Sequence, residues 1–371
     1  MMIPNRFPFL CTLLLCLTPF TYAAGQVMET TKPLFSSVFI SDSLINALKK
    51  AVAEKRSPAY TAFEVCRMHA DQNLDRTPTV PKQWYVPGYY HDAEGHRKAK
   101  NGLRDDANAA YAMALCYRVT GQEKYARSAV RIINAWAMEM ETMSRKDDSM
   151  LSFSYHFPAL IFAADLLRDE SAIWPKDQQK VFSEFLRNEA LPMNTMSRKN
   201  NWGNWGLVLA VSCAVYLKDE VLFGKCAGRW KYFIEHQIAA DGHLPHEVNR
   251  SGGQRGIWYS HFSLMPQTIA AEILRVNGAD LYNFKSPGGR TLKKAYERIA
   301  GWTRKPDTFP YWKGDPAELK GMHYFSYFEI LNSHWVNDDA SKLLAESRPM
   351  TATHSAPFLT FTHGITLKKT D

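Results

Sequence analysis

Apolar residues recur every three or four positions along most of the chain, the spacing that lines one face of an α-helix. Leu44, Ile45, Leu48, Ala51 and Val52 share such a face behind Ser41, whose hydroxyl suits a helix start. Residues 104–119 and 122–138 read as a helical pair broken at Thr120-Gly121, where glycine permits the left-handed turn that closes a helix. Residues 177–191 carry Val181, Phe182, Phe185 and Leu186 at helical spacing. A second hairpin, 205–217 and 221–238, turns around Lys218-Asp219-Glu220, and helices at 259–276 and 291–302 follow. A strand pattern is confined to the tail, where 358–367 is expected to pair locally. Successive antiparallel helix pairs without a strict repeat predict an all-α protein, an incomplete α/α toroid of helix hairpins forming a single domain.

Two stretches depart from the helical period. Residues 83–101, rich in Trp, Tyr, Gly and His, read as a long loop, and 240–256 as a Gly-rich polar connector between helices. Long ordered loops in compact domains commonly carry function. No Ser/Pro-rich linker interrupts the chain, so a single domain over 24–371 is expected.

The first residues change the picture of where this domain works. Arg6, the apolar run Phe7 to Leu17 and the small residues Ala23 and Ala24 predict a secretory signal peptide, 1–23, cleaved after Ala23. The apolar run is too short to span a bilayer, which takes about twenty residues. Leu15 before Cys16 is too bulky for a lipoprotein cleavage site, and no membrane span is expected further on. A periplasmic or secreted protein follows. Loss of the leader leaves Cys66, Cys116, Cys213 and Cys226, each in an apolar helical pattern where free cysteine acts as a small hydrophobe. Without CxxC spacing or a Cys/His cluster, no metal site is expected.

Hydrophobic residues make up 46% of the chain, enough for a large core. The net charge of +8 is spread along the sequence without dense basic runs, which disfavours a nucleic-acid binder and suits an acidic polymer as partner. Ten tryptophans add rings suited either to the core or to stacking on sugars.

Chemistry concentrates in three places. Asn200-Asn201-Trp202-Gly203-Asn204-Trp205 opens a helix, where amides and the helix N-terminus favour a carboxylate; a capped start with two packed rings is the alternative. Asp241-Gly242-His243-Leu244-Pro245-His246-Glu247 leads into Arg250, Arg255 and Tyr259. Imidazole, guanidinium and phenol together are the groups that bind an anion and move a proton. Tyr155-His156 and His323 to Tyr327 read as core or as cleft wall.

Asn200-Asn201-Trp202, Asp241-Gly242-x-Leu244-Pro245-x-Glu247, Arg250, the run Tyr259 to Pro266 and Asp106 to Tyr111 together resemble the alginate lyase superfamily, from about Trp84 to Trp335. The resemblance implies an α/α toroid whose deep cleft holds an acidic polysaccharide. It further implies an Asn that neutralises the substrate carboxylate, an Arg that supports it and a His/Tyr pair that moves protons. Asn201 and Tyr259 match the Asn and Tyr positions. Trp202 stands where the mannuronate-specific members carry His, and the family's Arg stands closer to its Tyr than Arg250 does to Tyr259, which fits a short insertion at Ser251-Gly252-Gly253. Arg250 and Arg255 therefore both stand as candidates. His246 is placed similarly to the active-site His after Asp-Gly in related glycosaminoglycan lyases.

The implied reaction is β-elimination on a uronic-acid polymer such as mannuronan or glucuronan, with no cofactor. Asn201 would neutralise the carboxylate with Arg250, Arg255 or His246, and Tyr259 would serve as base and acid, with His246 as the alternative base. Cationic neighbours are expected to favour the Tyr259 phenolate. Asn200, Trp202, Trp205 and His156 would line the cleft. The 83–101 loop would be its lid, with Trp84, Tyr85, Tyr89 and Tyr90 stacking on sugars and Arg97 and Lys98 meeting carboxylates. Two other readings remain at this point. One is an inverting glycoside hydrolase drawing on Asp105, Asp106, Asp241 or Glu247; the other is a periplasmic polyuronate-binding protein without catalysis.

Overall fold

The computed structural model of the protein describes residues 35–314 and 323–365, with the side chain of His323 left out. The expected signal peptide, 1–23, lies outside the described residues. Among them run the helices α1 (Asp42–Ala53), α2 (Ala59–Gln72), α3 (Ala93–Thr120), α4 (Glu123–Met138), α5 (Ser149–His156), α6 (Pro158–Leu167) and α7 (Lys176–Phe185). They are followed by α8 (Asn201–Tyr216), α9 (Glu220–Gln237), α10 (Gly256–Val276), α11 (Leu292–Arg304), α12 (Phe328–His334), α13 (Asp338–Ser347) and α14 (Leu359–His363).

Helix ends follow local chemistry. The Leu44 N–H donates to Ser41 Oγ at 3.3 Å, and Gly121 closes α3 with φ 71°. Helix composition then sorts the layers. Every residue of α6 is buried, α8 leaves only Trp202 and Tyr216 partly exposed, and α10 buries all of its first five turns except Trp258. By contrast α4 and α11 bury one face each. The run Ser149–Leu167 is apolar and long enough to cross a membrane, yet 94% of it is buried inside this fold as α5 and α6.

The inner helices touch in the order α2, α3, α6, α8, α10, α12, with α4 packed outside α3, α9 outside α8 and α11 outside α10. The short α14 sits between α12 and α2. This is an α/α toroid, incomplete because one short helix stands where a full hairpin would close the ring. Among the described residues, Cys66, Cys116, Cys213 and Cys226 are buried and unbridged.

Three local expectations are corrected. Of the tail expected as a strand, residues 366–367 lie outside the described residues. Over 358–365 the chain is helical instead: Thr360 and Thr362 alternate with Leu359 and Phe361 as in a strand, but all four are buried in α14. There the Thr360 hydroxyl donates to Glu329 Oε1 (2.9 Å) and Thr362 to the Phe358 carbonyl (3.2 Å). Residues 83–101 are only half loop. Asp92 caps α3 by accepting from the Gly95 N–H at 2.8 Å, and the polar turns beyond it are helical despite lacking an apolar period. Finally α7 stops at Phe185 and passes through a wide turn, Leu186–Ala190, because Pro192 cannot continue the helix. The regular strands among the described residues are β1 (Gln83–Trp84) and β2 (Thr142–Met143), a parallel pair that fixes the base of the 85–92 loop.

Asp106 ties this base together. Fully buried, it accepts from Arg76 Nε (2.6 Å), the Thr79 N–H (2.7 Å) and the Trp136 indole (2.8 Å). Asp106→Ala strands all three donors, and the expected cost is about 3–5 kcal/mol, the scale of breaking a buried pair. Urea unfolding checks it; a loss below about 1 kcal/mol would leave the network without a structural role.

Candidate active site

The connector between α9 and α10 is shaped by close backbone approaches. Gly242 (φ 95°) lies so near α11 that a Cβ there would stand 2.3 Å from the Lys294 carbonyl. Asp241 Oδ1 lies 2.6 Å from His243 Nδ1, and Arg298 Nε donates to the Asp241 carbonyl at 3.0 Å, so this stretch is pinned to α11. Leu244 and Val248 bury their side chains on a tight turn that also sends Glu247 inward, where it is 1% exposed. Ser251, Gly252 and Gly253 then take φ of 52°, 67° and 98°. At Gly253 any Cβ would fall 2.0 Å from the Tyr311 carbonyl. This left-handed coil brings the Arg255 N–H back to the Arg250 carbonyl (3.2 Å) and sets Arg250 against the first turn of α10, where Tyr259 projects.

A continuous line of contacts results. Asn201, at the N-terminus of α8, places Nδ2 3.0 Å from each oxygen of the Glu247 carboxyl. Arg250 acts on Glu247 through its charge and lies 4.1 Å over the Tyr259 ring. Tyr259 and Tyr90 share a hydroxyl–hydroxyl bond of 2.7 Å, and Arg250 Nη2 reaches to 3.5 Å from the Tyr90 hydroxyl. Arg255 stands farther off, 5.7 Å from the Tyr259 ring centre, and lies over Trp258 at 5.1 Å.

The electrostatics of this line differ from the expectation that cations favour the Tyr259 phenolate. Burial, joined by the bond to Tyr90, pushes the Tyr259 phenol up to about 12 despite Arg250. Tyr90 goes the other way: burial opposes its ionisation, but bonds to Tyr259 and Arg250 and the charges of Arg250 and Arg255 outweigh it. Burial lifts the Glu247 carboxyl to about 7, against the Asn201 donors and the Arg250 charge.

The other predicted residues are distributed around this line. Asn200 precedes α8 with an extended backbone, makes no side-chain cap, and has an Oδ1 without a hydrogen-bond partner among the described residues. Trp202 lies under the Arg198 guanidinium at 4.1 Å. Trp205 and His156 are buried and form a floor with Tyr155, Phe262 and His354. His156 stacks on His354 at 5.5 Å, has no hydrogen-bond partner at either ring nitrogen among the described residues, and is held neutral by burial and by Lys100, His354 and Arg104. Tyr89 is anchored by its N–H to Asp148 (2.8 Å) and meets Tyr90 edge-on. Arg97 is exposed on α3. His246 is exposed on the connector turn and, among the described residues, makes no hydrogen bond or ion pair; the structure does not bring it to Tyr259.

Sequence reasoning passed over Lys100, Tyr155 and His354 as a group. Lys100 Nζ lies 3.2 Å from the Tyr155 hydroxyl, and burial with Arg104 and Arg97 pushes its ammonium down to about 8. Arg97, Lys100 and Arg104 fall on one face of α3 by helical spacing, a signal visible once that stretch is recognised as helix. His354 arrives from an irregular tail segment that carries no local pattern.

The alginate lyase family matches residues 51–309 of this chain. An alginate lyase of Pseudomonas fluorescens (strain SBW25) is 26% identical over 132 residues, 36% of this chain and 33% of that protein. A polysaccharide lyase of Stenotrophomonas maltophilia (strain K279a) is 28% identical over 116 residues, 31% of this chain and 33% of that protein. The aligned stretch thus spans about a third of the length of these curated relatives. Over the whole fold, alginate lyase A1-III from Sphingomonas species A1 superposes with a TM-score of 0.74 at 18% identity, covering 90% of this chain and 97% of that one. An alginate lyase from Bacteroides ovatus gives 0.68 at 19% identity, covering 88% and 99%. A variant of A1-III complexed with tetrasaccharide gives 0.73 at 18% identity, covering 90% and 96%.

Proposed function

Because the chain belongs to the alginate lyase family, we propose that it is a polysaccharide lyase that cleaves a uronic-acid polymer, alginate or a glucuronan-like chain, by β-elimination. The observation that carries this reading is the unbroken line Asn201, Glu247, Arg250, Tyr259, Tyr90, which sets amide donors and a guanidinium beside a buried phenol.

The reaction removes the weakly acidic proton at C5 and expels the oxygen at C4. An ionised carboxylate on C5 opposes this, and donors that neutralise it lower the barrier. Asn201 and Arg250 supply that neutralisation, with Arg255 behind them. The Tyr259 phenolate takes the C5 proton, the C5–H electron pair becomes the C4–C5 double bond, and the C4–O bond breaks. In mannuronate and glucuronate the C5 hydrogen and C4 oxygen lie on one side of the ring, so Tyr259 can return the proton to the departing oxygen. Arg97, Lys100 and Arg104 offer a cationic wall for further carboxylates, and the 85–92 loop, which delivers Tyr90, acts as a lid. The enzyme works in the periplasm or outside the cell once the leader, 1–23, is removed, with 24–371 as one catalytic domain.

The hydrolase reading finds its carboxyls engaged elsewhere. Asp106 is bound by three donors, Asp105 by Arg104, Asp241 by His243, and Glu247 by Asn201. The deciding experiment incubates purified protein with a panel of polyuronates and follows the ultraviolet absorbance of the conjugated double bond. New reducing ends without that absorbance would establish hydrolysis instead, and binding with neither would establish a non-catalytic polyuronate binder.

A further inference from the structure

Glu247 is an odd residue to find where a substrate carboxylate must be neutralised. It is itself a carboxyl, 1% exposed, and both of its oxygens lie 3.0 Å from the amide nitrogen of Asn201, which is 3% exposed. Ionised, it would compete with the substrate for the donor and repel the substrate's charge. We propose that Glu247 is a positioning residue that takes up a proton from solvent as a uronate carboxylate settles against Asn201. The proposal rests on the reading of Asn201 as the group that meets that carboxylate.

The geometry gives each partner a defined part. An amide nitrogen carries two N–H groups, and a carboxyl accepts at one oxygen while donating from the other once protonated. Neutral Glu247 still accepts from Asn201 Nδ2 at one oxygen, while its other oxygen, once it carries the proton, no longer competes for that nitrogen. That bond holds the amide in place and frees the second N–H for the substrate. Two carboxylates sharing one amide cannot readily both be ionised, and the more buried one is the one to accept the proton. Burial already lifts the Glu247 carboxyl to about 7, so a nearby second carboxylate readily tips it to the protonated form.

The groups around Glu247 leave this burden on it. From α8 it faces the side chain and main-chain N–H of Asn201, and from its own connector the guanidinium of Arg250. Arg250 is already shared with Tyr259 of α10 and with Tyr90 of the lid loop. Val248 beside it packs with Ile257, Trp302 and Phe309 from α10, α11 and the segment after α11, which bring no charge.

The test is calorimetry of the full chain with a short oligouronate at pH 7, in buffers of different ionisation enthalpy, on a Tyr259→Phe background that prevents turnover. Net proton uptake is expected with Glu247 present and none after Glu247→Gln, which keeps volume and an acceptor for Asn201. Uptake unchanged by Glu247→Gln would overturn the proposal. Kinetics give the second arm. If binding needs the protonated form, KM should rise by about tenfold per pH unit above pH 7 in the wild type and stay flat in Glu247→Gln. Glu247→Ala, which releases the amide, should lose about 10²-fold in kcat, while Gln stays within about tenfold of wild type. Equal KM profiles for wild type and Gln would again overturn it. Proton uptake without unsaturated product would remove the lyase reading and keep this one. Unsaturated product with uptake insensitive to Gln would do the reverse.

Discussion

Tyr259→Phe is expected to lower turnover on the preferred polyuronate by roughly 10²–10⁴-fold, the range for a general acid–base group, with two proton transfers placing it at the upper end. The fold should survive. The ring stays packed against Trp258 (4.6 Å) and Phe262 (6.2 Å) with Arg250 above it, and what is lost is the hydroxyl's bonds to Tyr90 and Arg250, worth about 1 kcal/mol each. The pH dependence is the sharper signature. With the Tyr259 phenol pushed up to about 12, the phenolate is scarce at neutral pH, and kcat at saturating substrate should climb through the alkaline range. Tyr90→Phe removes one of the causes that raises Tyr259, so the alkaline limb should move to lower pH while turnover persists. Steady-state kinetics of the three proteins checks this. If Tyr259→Phe keeps more than about a tenth of wild-type turnover, Tyr259 is not the proton carrier.

The helical hairpins were legible because an inner helix must be apolar and an outer one must be two-faced, and both leave a period in the sequence. Ser41 and Gly121 marked ends for reasons confined to one turn. What escaped was set by partners far away in the chain. The first turns of α3 show no apolar stripe because Arg97, Lys100 and Arg104 share one face of the helix, where Lys100 meets the Tyr155 hydroxyl rather than an apolar partner. The threonines of α14 imitate a strand, and only Glu329 and the helix's own backbone reveal where their hydroxyls go.

The site divides in the same way. Asn201, Arg250 and Tyr259 belong to one recognisable set of motifs, but nothing local says that Glu247 links the first two. A carboxylate is ordinarily an exposed group, so its burial cannot be read from the connector. The different placements of Arg250 and Arg255 turn on three consecutive left-handed residues, Ser251 to Gly253, which fold Arg250 against Tyr259 and leave Arg255 over Trp258. Tyr90 reaches Tyr259 across 169 residues. Its motif-free loop suggested stacking on sugars, and the hydroxyl contact that shifts both phenols came only with the fold.

Asn201→Ala carries the second large effect. Its amide stands on the first turn of α8, already held at 3.0 Å from both Glu247 oxygens, so it needs no reorganisation when charge grows on the substrate. Losing one preorganised donor of this kind costs about 10²–10³-fold in turnover. KM should change much less, because Arg250 and the α3 cations still attract the polymer. The substitution also leaves Glu247 buried without its side-chain donor, at a stability cost of about 1–3 kcal/mol. Its carboxyl should then titrate higher still, since Asn201 is one of the groups holding it down. A double-mutant cycle separates the two consequences. If Asn201 works through the amide that Glu247 orients, Asn201→Ala combined with Glu247→Ala should be hardly worse in kcat than Asn201→Ala alone, because groups acting as one unit are not additive. Multiplicative losses would mean that the two act separately, and near-normal kcat in Asn201→Ala would remove it from the reaction altogether.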